Sequence, residues 1–337
     1  MTEEPTTSVY PDTPAHPPFD AELSVALDAR PPLMAAPVSA ANLQEKRQLL
    51  RDGALRRGAE PVDLTAGGLV RVEERVVPGP EGAPDLTVLV LSPARIDTPV
   101  AGIYLVHGGG MVMGDRSTGV EGWLPHVVDG GAVLVSVEYR LAPEHPDPAP
   151  VEDVYAGLVW MAGAAADLGV DPERLLIAGV SAGGGLAAGT ALLARDRGYP
   201  ALSHQVLVCP MLDDRLHTPS SRMLDGVGAW DRTSNLFGWT ALLGERRGGP
   251  DVSDYAAPAR AENLHGLPRT YLDTGSSETF RDEVLDYATR LSGAGVGVDL
   301  HMWGGAFHGF DGLAPEAALS RASRATRDEF VRRAIAG

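Results

Sequence analysis

Leu175-Leu176-Ile177-Ala178-Gly179-Val180-Ser181-Ala182-Gly183-Gly184-Gly185 is the stretch on which the reading of this 337-residue chain turns. Its first four residues form a short apolar run of the kind that makes a strand buried on both faces. Gly179 to Gly183 then read G-x-S-x-G, and Gly184 to Ala194 read as a helix packed closely against its surroundings. A tight turn from strand to helix leaves no room for side chains beside the serine, which explains glycine at both ±2 positions. Such a turn lifts the hydroxyl above the sheet edge and aims the first N–H groups of the helix at the same point. The same residues would also suit a plain turn whose serine caps a helix, so the surrounding chain has to decide.

Working outward, LVRVEERVVPG and DLTVLVLSP alternate like two strands of a hairpin, with PGPEGAP between them. Further apolar runs follow: GIYLVHG, AVLVSVEYR, RLLIAG, HQVLVCP, RTYLDTG and VDLHMWGG. Most are separated by helical stretches such as PVEDVYAGLVWMAGAAADLG and RDEVLDYATRLSGAG. Strand–helix alternation implies right-handed crossovers and a mostly parallel sheet covered on both faces, here with an antiparallel hairpin at one edge. Before the hairpin, residues 1–18 read as disordered. Two amphipathic helices are expected next, one capped by Asp20 with Leu23, Ala26 and Leu27 on one face. The other is capped by Ser39, with Leu43, Arg47 and Leu50 on one stripe. From Met211 to about Pro250 the alternation breaks down into a segment too long for a simple connection. Trp230, Phe237 and Trp239 give that segment apolar weight, and it reads as helices lying over the sheet.

Three stretches bear on the serine. His107-Gly108-Gly109-Gly110 follows the strand GIYLV directly, and consecutive glycines let the backbone approach a reacting carbonyl and turn N–H groups towards it. Phe307-His308-Gly309-Phe310 follows the last strand, where a histidine can reach the serine as general base. That position sets His308 apart from His16, His126, His204, His217, His265 and His301. A carboxylate to fix the imidazole should come from the loop after RTYLDTG, in the chain order Ser, acid, His. Asp273, Glu278, Asp282 and Glu283 are the candidates; Asp273 lies within the strand, Asp282 and Glu283 open the next helix, and Glu278 is on the loop.

Composition narrows the chemistry. A net charge of −17 argues against nucleic acid and anionic membrane surfaces as partners. The single cysteine, Cys209, sits in a buried strand and reads as a small core residue, which leaves no disulfide and no Cys-rich zinc site. Lys46 is the single lysine and falls in an N-terminal helix, which speaks against Schiff-base and P-loop chemistry. No apolar run reaches the roughly 18 residues of a membrane span, and the acidic, proline-rich start lacks the features of a signal peptide. The expectation is a soluble, cytoplasmic protein without membrane insertion, metal or cofactor.

HGGGMVMGD, YRLAPEHPDPAPVEDVYAGLVW, GVSAGG, SSETFRDE and FHGF together resemble the hormone-sensitive-lipase-like family of bacterial carboxylesterases, from about Ala101 to Phe310. The resemblance implies an α/β-hydrolase fold, with a mostly parallel eight-stranded sheet flanked by helices and a helical cap. The expected layout is 1–60 as N-terminal segment and cap helices and 61–210 as the first part of the core. A cap insertion at 211–250 and the second part of the core at 251–337 complete it. The resemblance further implies Ser181 as nucleophile and His308 as base, with the N–H groups of Gly109, Gly110 and Ala182 as oxyanion donors. Val180 stands where the family usually has Asp or Thr. Where the family's acid frame reads D-P-L-R-D-E, this chain reads Glu278-Thr279-Phe280-Arg281-Asp282-Glu283, so Glu278 takes the aspartate's place, with Asp282 in reserve. Glu144 is expected to make buried polar contacts beside the site, and Tyr139, Arg140 and His145 to be structural.

The function this implies is hydrolysis of short- to medium-chain or other small-molecule esters through an acyl-enzyme. The family's members are often dimers, which makes a homodimer a further expectation. Amide or lactam cleavage and acyl transfer by the same triad are the rival reactions. A non-catalytic small-molecule receptor on the same fold is a rival of another class, against which the presence of His308 speaks.

Overall fold

The apolar runs become the eight strands of one sheet in the structure, a computed structural model that describes residues 13–53 and 62–337. They are β1 (Val70–Val77), β2 (Leu86–Pro93), β3 (Val100–Val106), β4 (Ala132–Glu138), β5 (Val170–Val180), β6 (His204–Val208), β7 (Arg269–Gly275) and β8 (Val298–Trp303). Their order across the sheet is β1-β2-β4-β3-β5-β6-β7-β8. The β1–β2 and β2–β4 pairings are antiparallel and the rest parallel. This is the α/β-hydrolase fold. Among the described residues, no helix is long and apolar enough to cross a membrane.

Register explains why the site lies where it does. Val106 pairs with Gly179, Val180 with Val208, Val208 with Asp273, and Gly275 with Trp303. The loops leaving β3, β5, β6, β7 and β8 therefore start at one level along the carboxyl rim of the sheet. That rim is where an open α/β sheet presents its ligands.

The strands read as unbroken apolar runs because both faces are covered. In β3, Ile103 and Leu105 belong to one core, and Tyr104 and Val106 to the core on the opposite face. The helices, in chain order, are α1 (Ala21–Asp28), α2 (Pro32–Ala35), α3 (Leu43–Arg51), α4 (Leu124–Val128), α5 (Ala149–Gly163) and α6 (Ala165–Leu168). After them come α7 (Ala182–Arg197), α8 (Ser220–Met223), α9 (Arg232–Leu243), α10 (Arg281–Gly293), α11 (Phe310–Leu313) and α12 (Ala318–Ala336). α7 is buried without a break from Ala182 to Ala194, as expected for a helix clamped between the sheet and its neighbours. Leu23, Ala26 and Leu27 of α1 form a third cluster with Phe307 and Phe310, beside the loop after β8.

Some local expectations change. Asp20 does cap α1, accepting from the backbone N–H groups of Glu22 and Leu23. α3, however, starts after Asn42 rather than Ser39; the Asn42 side chain accepts from Ser39 N and donates to Pro37 O, which holds a turn ahead of the helix. Of the stretch read as disordered, residues 1–12 lie outside the described residues. The remainder is packed: Ser277 Oγ donates to Pro17 O at 2.7 Å, and His16 stacks on Phe19. Glu144 is half-exposed rather than buried. It forms a two-pronged ion pair with Arg47 of α3, and the Arg47 guanidinium hydrogen bond holds its carboxyl down to about 2.

Candidate active site

The turn at Ser181 is as tight as its glycines require. A Cβ on Gly179 would sit 2.1 Å from the Gly183 carbonyl oxygen, and one on Gly183 would sit 2.2 Å from that of Val106. Ser181 itself adopts φ 59° and ψ −123°, a left-handed conformation costly for a residue with a side chain. The surroundings impose it: Ser181 N donates to Val208 O, while Gly185 N and Met211 N both donate to Ser181 O. The hydroxyl is thereby raised over the rim at the amino end of α7, and the residue is only 6% exposed.

His308, on the loop after β8, places Nε2 2.8 Å from Ser181 Oγ. Its Nδ1 lies 3.1 and 3.0 Å from the two carboxylate oxygens of Glu278, on the loop after β7. Glu278 is fully buried and also accepts from Phe280 N. The Phe280 ring meets the imidazole edge-on at 5.1 Å, restricting its rotation. The other carboxylate candidates are engaged elsewhere. Asp282 accepts from Ser220 N and Arg281 Nε. Glu283, in the first turn of α10, is buried and accepts from Leu212 N and Asp213 N. Asp273 accepts from Tyr271 OH and Cys209 N.

The charge of His308 is set by two opposed influences. Burial, the largest single influence, disfavours the imidazolium, but the charge and hydrogen bond of Glu278 and the contact with Cys209 together outweigh it, so the imidazole sits well above the ordinary histidine value. Burial also pushes the Cys209 thiol up, keeping it protonated. Cys209 is a core residue, as its strand context suggested, yet it lies beside Glu278 and His308. Its sulfur, a Glu278 oxygen and a His308 nitrogen lie within 4.8 Å of one another, a grouping of donor types that could hold a soft metal ion. Glu278 and His308 already bond each other, so the grouping needs no ion to hold it together.

The loop after β3 is held from several sides. The His107 ring stacks on Tyr139 at 4.1 Å, and Tyr139 OH donates to the His107 carbonyl. Burial lowers the His107 pKa, which makes the ring a neutral anchor. Arg47 reaches across from α3, donating from Nε to Val112 O and from Nη2 to Ala142 O. Gly110 has φ 65°, and a Cβ there would lie 2.3 Å from the Trp230 ring. Gly110 thus runs beneath Trp230, Gly109 lies against the Met113 backbone, and Ala182 follows Ser181 at the start of α7.

Sequence reasoning missed three residues here. Trp230 was read only as apolar weight in the 211–250 segment, Arg47 as one position on a helical stripe, and Cys209 as core. Their roles depend on contacts between distant segments, which no local spacing encodes. Tyr139 and Arg140 are structural as expected, Arg140 through a two-pronged pair with buried Asp153.

Known proteins resemble this chain in the same regions. The family described as the alpha/beta hydrolase fold matches residues 103–312. Carboxylesterase NlhH of Mycobacterium tuberculosis is 38% identical over 251 residues, covering 73% of this chain and 77% of that protein. Esterase LipI of the same organism is 35% identical over 271 residues, covering 78% of this chain and 81% of its own length. Among solved structures, a bacterial heroin esterase superposes with a TM-score of 0.86 at 38% identity, over 94% of this chain and 98% of that one.

Proposed function

The chain belongs to the hormone-sensitive-lipase-like family of the α/β-hydrolase fold and is a serine ester hydrolase, and from that premise we propose that Ser181, His308 and Glu278 carry the reaction. One observation supports this above the rest: a continuous hydrogen-bonded line from Ser181 Oγ through both imidazole nitrogens to a fully buried carboxylate.

His308 Nε2 takes the proton from Ser181 Oγ as that oxygen attacks the ester carbonyl. The C–O(carbonyl) π bond opens to an oxyanion, which the N–H groups of Gly109, Gly110 and Ala182 stabilise, each donor contributing about 3–4 kcal/mol in related chemistry. The intermediate collapses, the bond to the leaving alcohol breaks, and the imidazolium returns its proton to that alcohol. Water, deprotonated by the same imidazole, then cleaves the acyl-enzyme and restores Ser181. Glu278 stabilises the imidazolium throughout and holds Nδ1 in the protonated tautomer. The mechanism calls on no metal or cofactor.

The substrates are small-molecule esters of short to medium chain length. The enclosed nucleophile supports this, because a serine only 6% exposed under a cap favours a compact substrate over an insoluble lipid surface. Heroin, the substrate in the bacterial esterase's name, is itself a small-molecule ester. Within this reading, the helices among residues 13–53 and the segment 211–250 form the cap, and 62–210 with 251–337 form the catalytic core. A cytoplasmic homodimer without nucleic-acid partners completes the proposal. Cell fractionation and light scattering test its location and assembly.

Hydrolysis of p-nitrophenyl esters by S181A tests the assignment. Loss of turnover to near background is expected, and near-wild-type hydrolysis would refute it. Product analysis with an added acceptor alcohol separates hydrolysis from acyl transfer.

A further inference from the structure

Trp230 and the cap helix α9 carry polar groups that the fold does not use. The Trp230 ring lies over Gly110 and 6.2 Å from the His308 ring, and Thr279 Oγ1 fixes its position by donating to Trp230 O at 2.6 Å. Its indole Nε1 is nevertheless buried without a hydrogen-bond partner. At about 100° per residue, Asn235, Gly238 and Trp239 share one face of α9. Gly238 on that face packs against the Gly110 carbonyl, where a Cβ would lie 3.0 Å away, and against Met211. Asn235 is fully buried, and neither its Oδ1 nor its Nδ2 has a partner.

Packing explains a buried tryptophan, whose indole body fills space even when its N–H goes unpaired. It does not explain Asn235. A leucine of similar size would fill the position without burying an unsatisfied carboxamide, which is costly. The two residues therefore present an indole donor and a donor–acceptor amide beside the loop that carries the oxyanion glycines.

We propose that Trp230 and Asn235 recognise a polar group on the substrate separate from the scissile ester, a carbonyl or carboxamide oxygen that accepts from the indole and amide N–H groups. The preferred substrates are then keto or amido esters rather than plain alkyl esters. This inference rests on the esterase reading of the same site. An alkyl substrate leaves both residues unpaired when α9 lies against the loop, and a polar substrate satisfies them. Such a difference corresponds to roughly tenfold or more in kcat/KM.

Two isosteric pairs test it on either side of the ester. p-Nitrophenyl 4-oxopentanoate against p-nitrophenyl 4-methylpentanoate probes the acyl portion, and 2-oxopropyl acetate against 2-methylpropyl acetate probes the alcohol portion. The polar-to-alkyl ratio of kcat/KM is measured for wild type, W230F and N235L; comparing ratios between enzymes cancels the intrinsic reactivity of the esters. The expected result is a fall of about tenfold in the ratio, in one of the two pairs, in either variant. Ratios that change less than threefold in both variants and both pairs overturn the proposal. A shifted melting temperature of N235L with unchanged ratios overturns it too, because Asn235 is then only structural. The esterase reading fails separately, through S181A retaining hydrolysis of p-nitrophenyl 4-methylpentanoate, whereas the recognition site can fail while that loss is complete.

Discussion

His308 has to be neutral to accept the Ser181 proton, and its surroundings work partly against that. Burial, the largest single influence, favours the neutral ring, but Glu278 and Cys209 together outweigh it and hold the imidazole above the ordinary value near 6.5. Below its pKa the ring already carries the proton and cannot act as base, so kcat/KM should rise with pH along a limb displaced to the alkaline side of 6.5. Removing the charge in E278Q should move that limb to lower pH while kcat falls about a thousandfold or more, as the tautomer is no longer fixed. D282N should keep kcat within about tenfold, since Asp282 bonds Ser220 and Arg281 instead of His308. pH–rate profiles of the three enzymes check both statements, and an unmoved limb in E278Q would contradict the assignment of the acid. These residues were legible because each sits at a fixed offset from a strand end. Glu278 needed the frame of its whole motif to be distinguished from three neighbouring acids. Cys209 was legible as core, but its approach to His308 was not, because it depends on how β6 and β8 are ordered in the sheet.

At the scale of elements, α3 and the loop after β3 act as one unit through Arg47. Its guanidinium bonds Val112 O, Ala142 O and both oxygens of Glu144. R47A should leave those carbonyls without their donor and loosen the loop next to Gly110, lowering kcat roughly tenfold in ester assays. β7 carries a different constraint in Asp273. Burial raises its pKa to about 6 despite the nearby Arg327, above the ordinary value of about 3.9. The sign follows: the folded state favours the protonated acid, so stability falls as pH rises from about 3.9 through 6 and then levels off. The full effect is roughly 3 kcal/mol, with about half of it arising between pH 5 and pH 8. D273N should remove this dependence, so its stability relative to wild type should rise by about 1.4 kcal/mol over that interval in denaturant titrations. A difference independent of pH would contradict the buried, protonated acid. The strands themselves were plain in the sequence, because double-sided burial writes them as apolar runs. Helix starts were less plain: Asn42 displaces Ser39 through a turn of its own, and the short helix at Pro32–Ala35 has too few residues to show a period.

For the whole molecule, topology brings five loops together that are spread over some two hundred residues of chain. The order β3-β5-β6-β7-β8 puts the loops of His107, Ser181, Cys209, Glu278 and His308 side by side. The alternation of strands and helices sufficed to read this class of sheet, and the motif order sufficed to place Ser181, Glu278 and His308 together on its rim. What the sequence withheld is how the segments before β1 and between β6 and β7 meet the rim of the sheet: Trp230 over Gly110, Arg47 on the β3 loop, and Pro17 held by Ser277. Each joins segments far apart in the chain and carries no periodic signature. An enclosed site should also show in the substrate range. Over a series of p-nitrophenyl esters, kcat/KM should peak at short to medium acyl chains and fall for long ones, and a steady rise with chain length would contradict the enclosure. The most direct measurement is a crystal structure of the enzyme inactivated by a p-nitrophenyl alkylphosphonate, whose adduct mimics the tetrahedral intermediate. The account predicts phosphorus bonded to Ser181 Oγ, with its oxygen about 2.7–3.1 Å from the N–H nitrogens of Gly109, Gly110 and Ala182. An adduct on any other residue, or a phosphoryl oxygen turned away from those three amides, would contradict it.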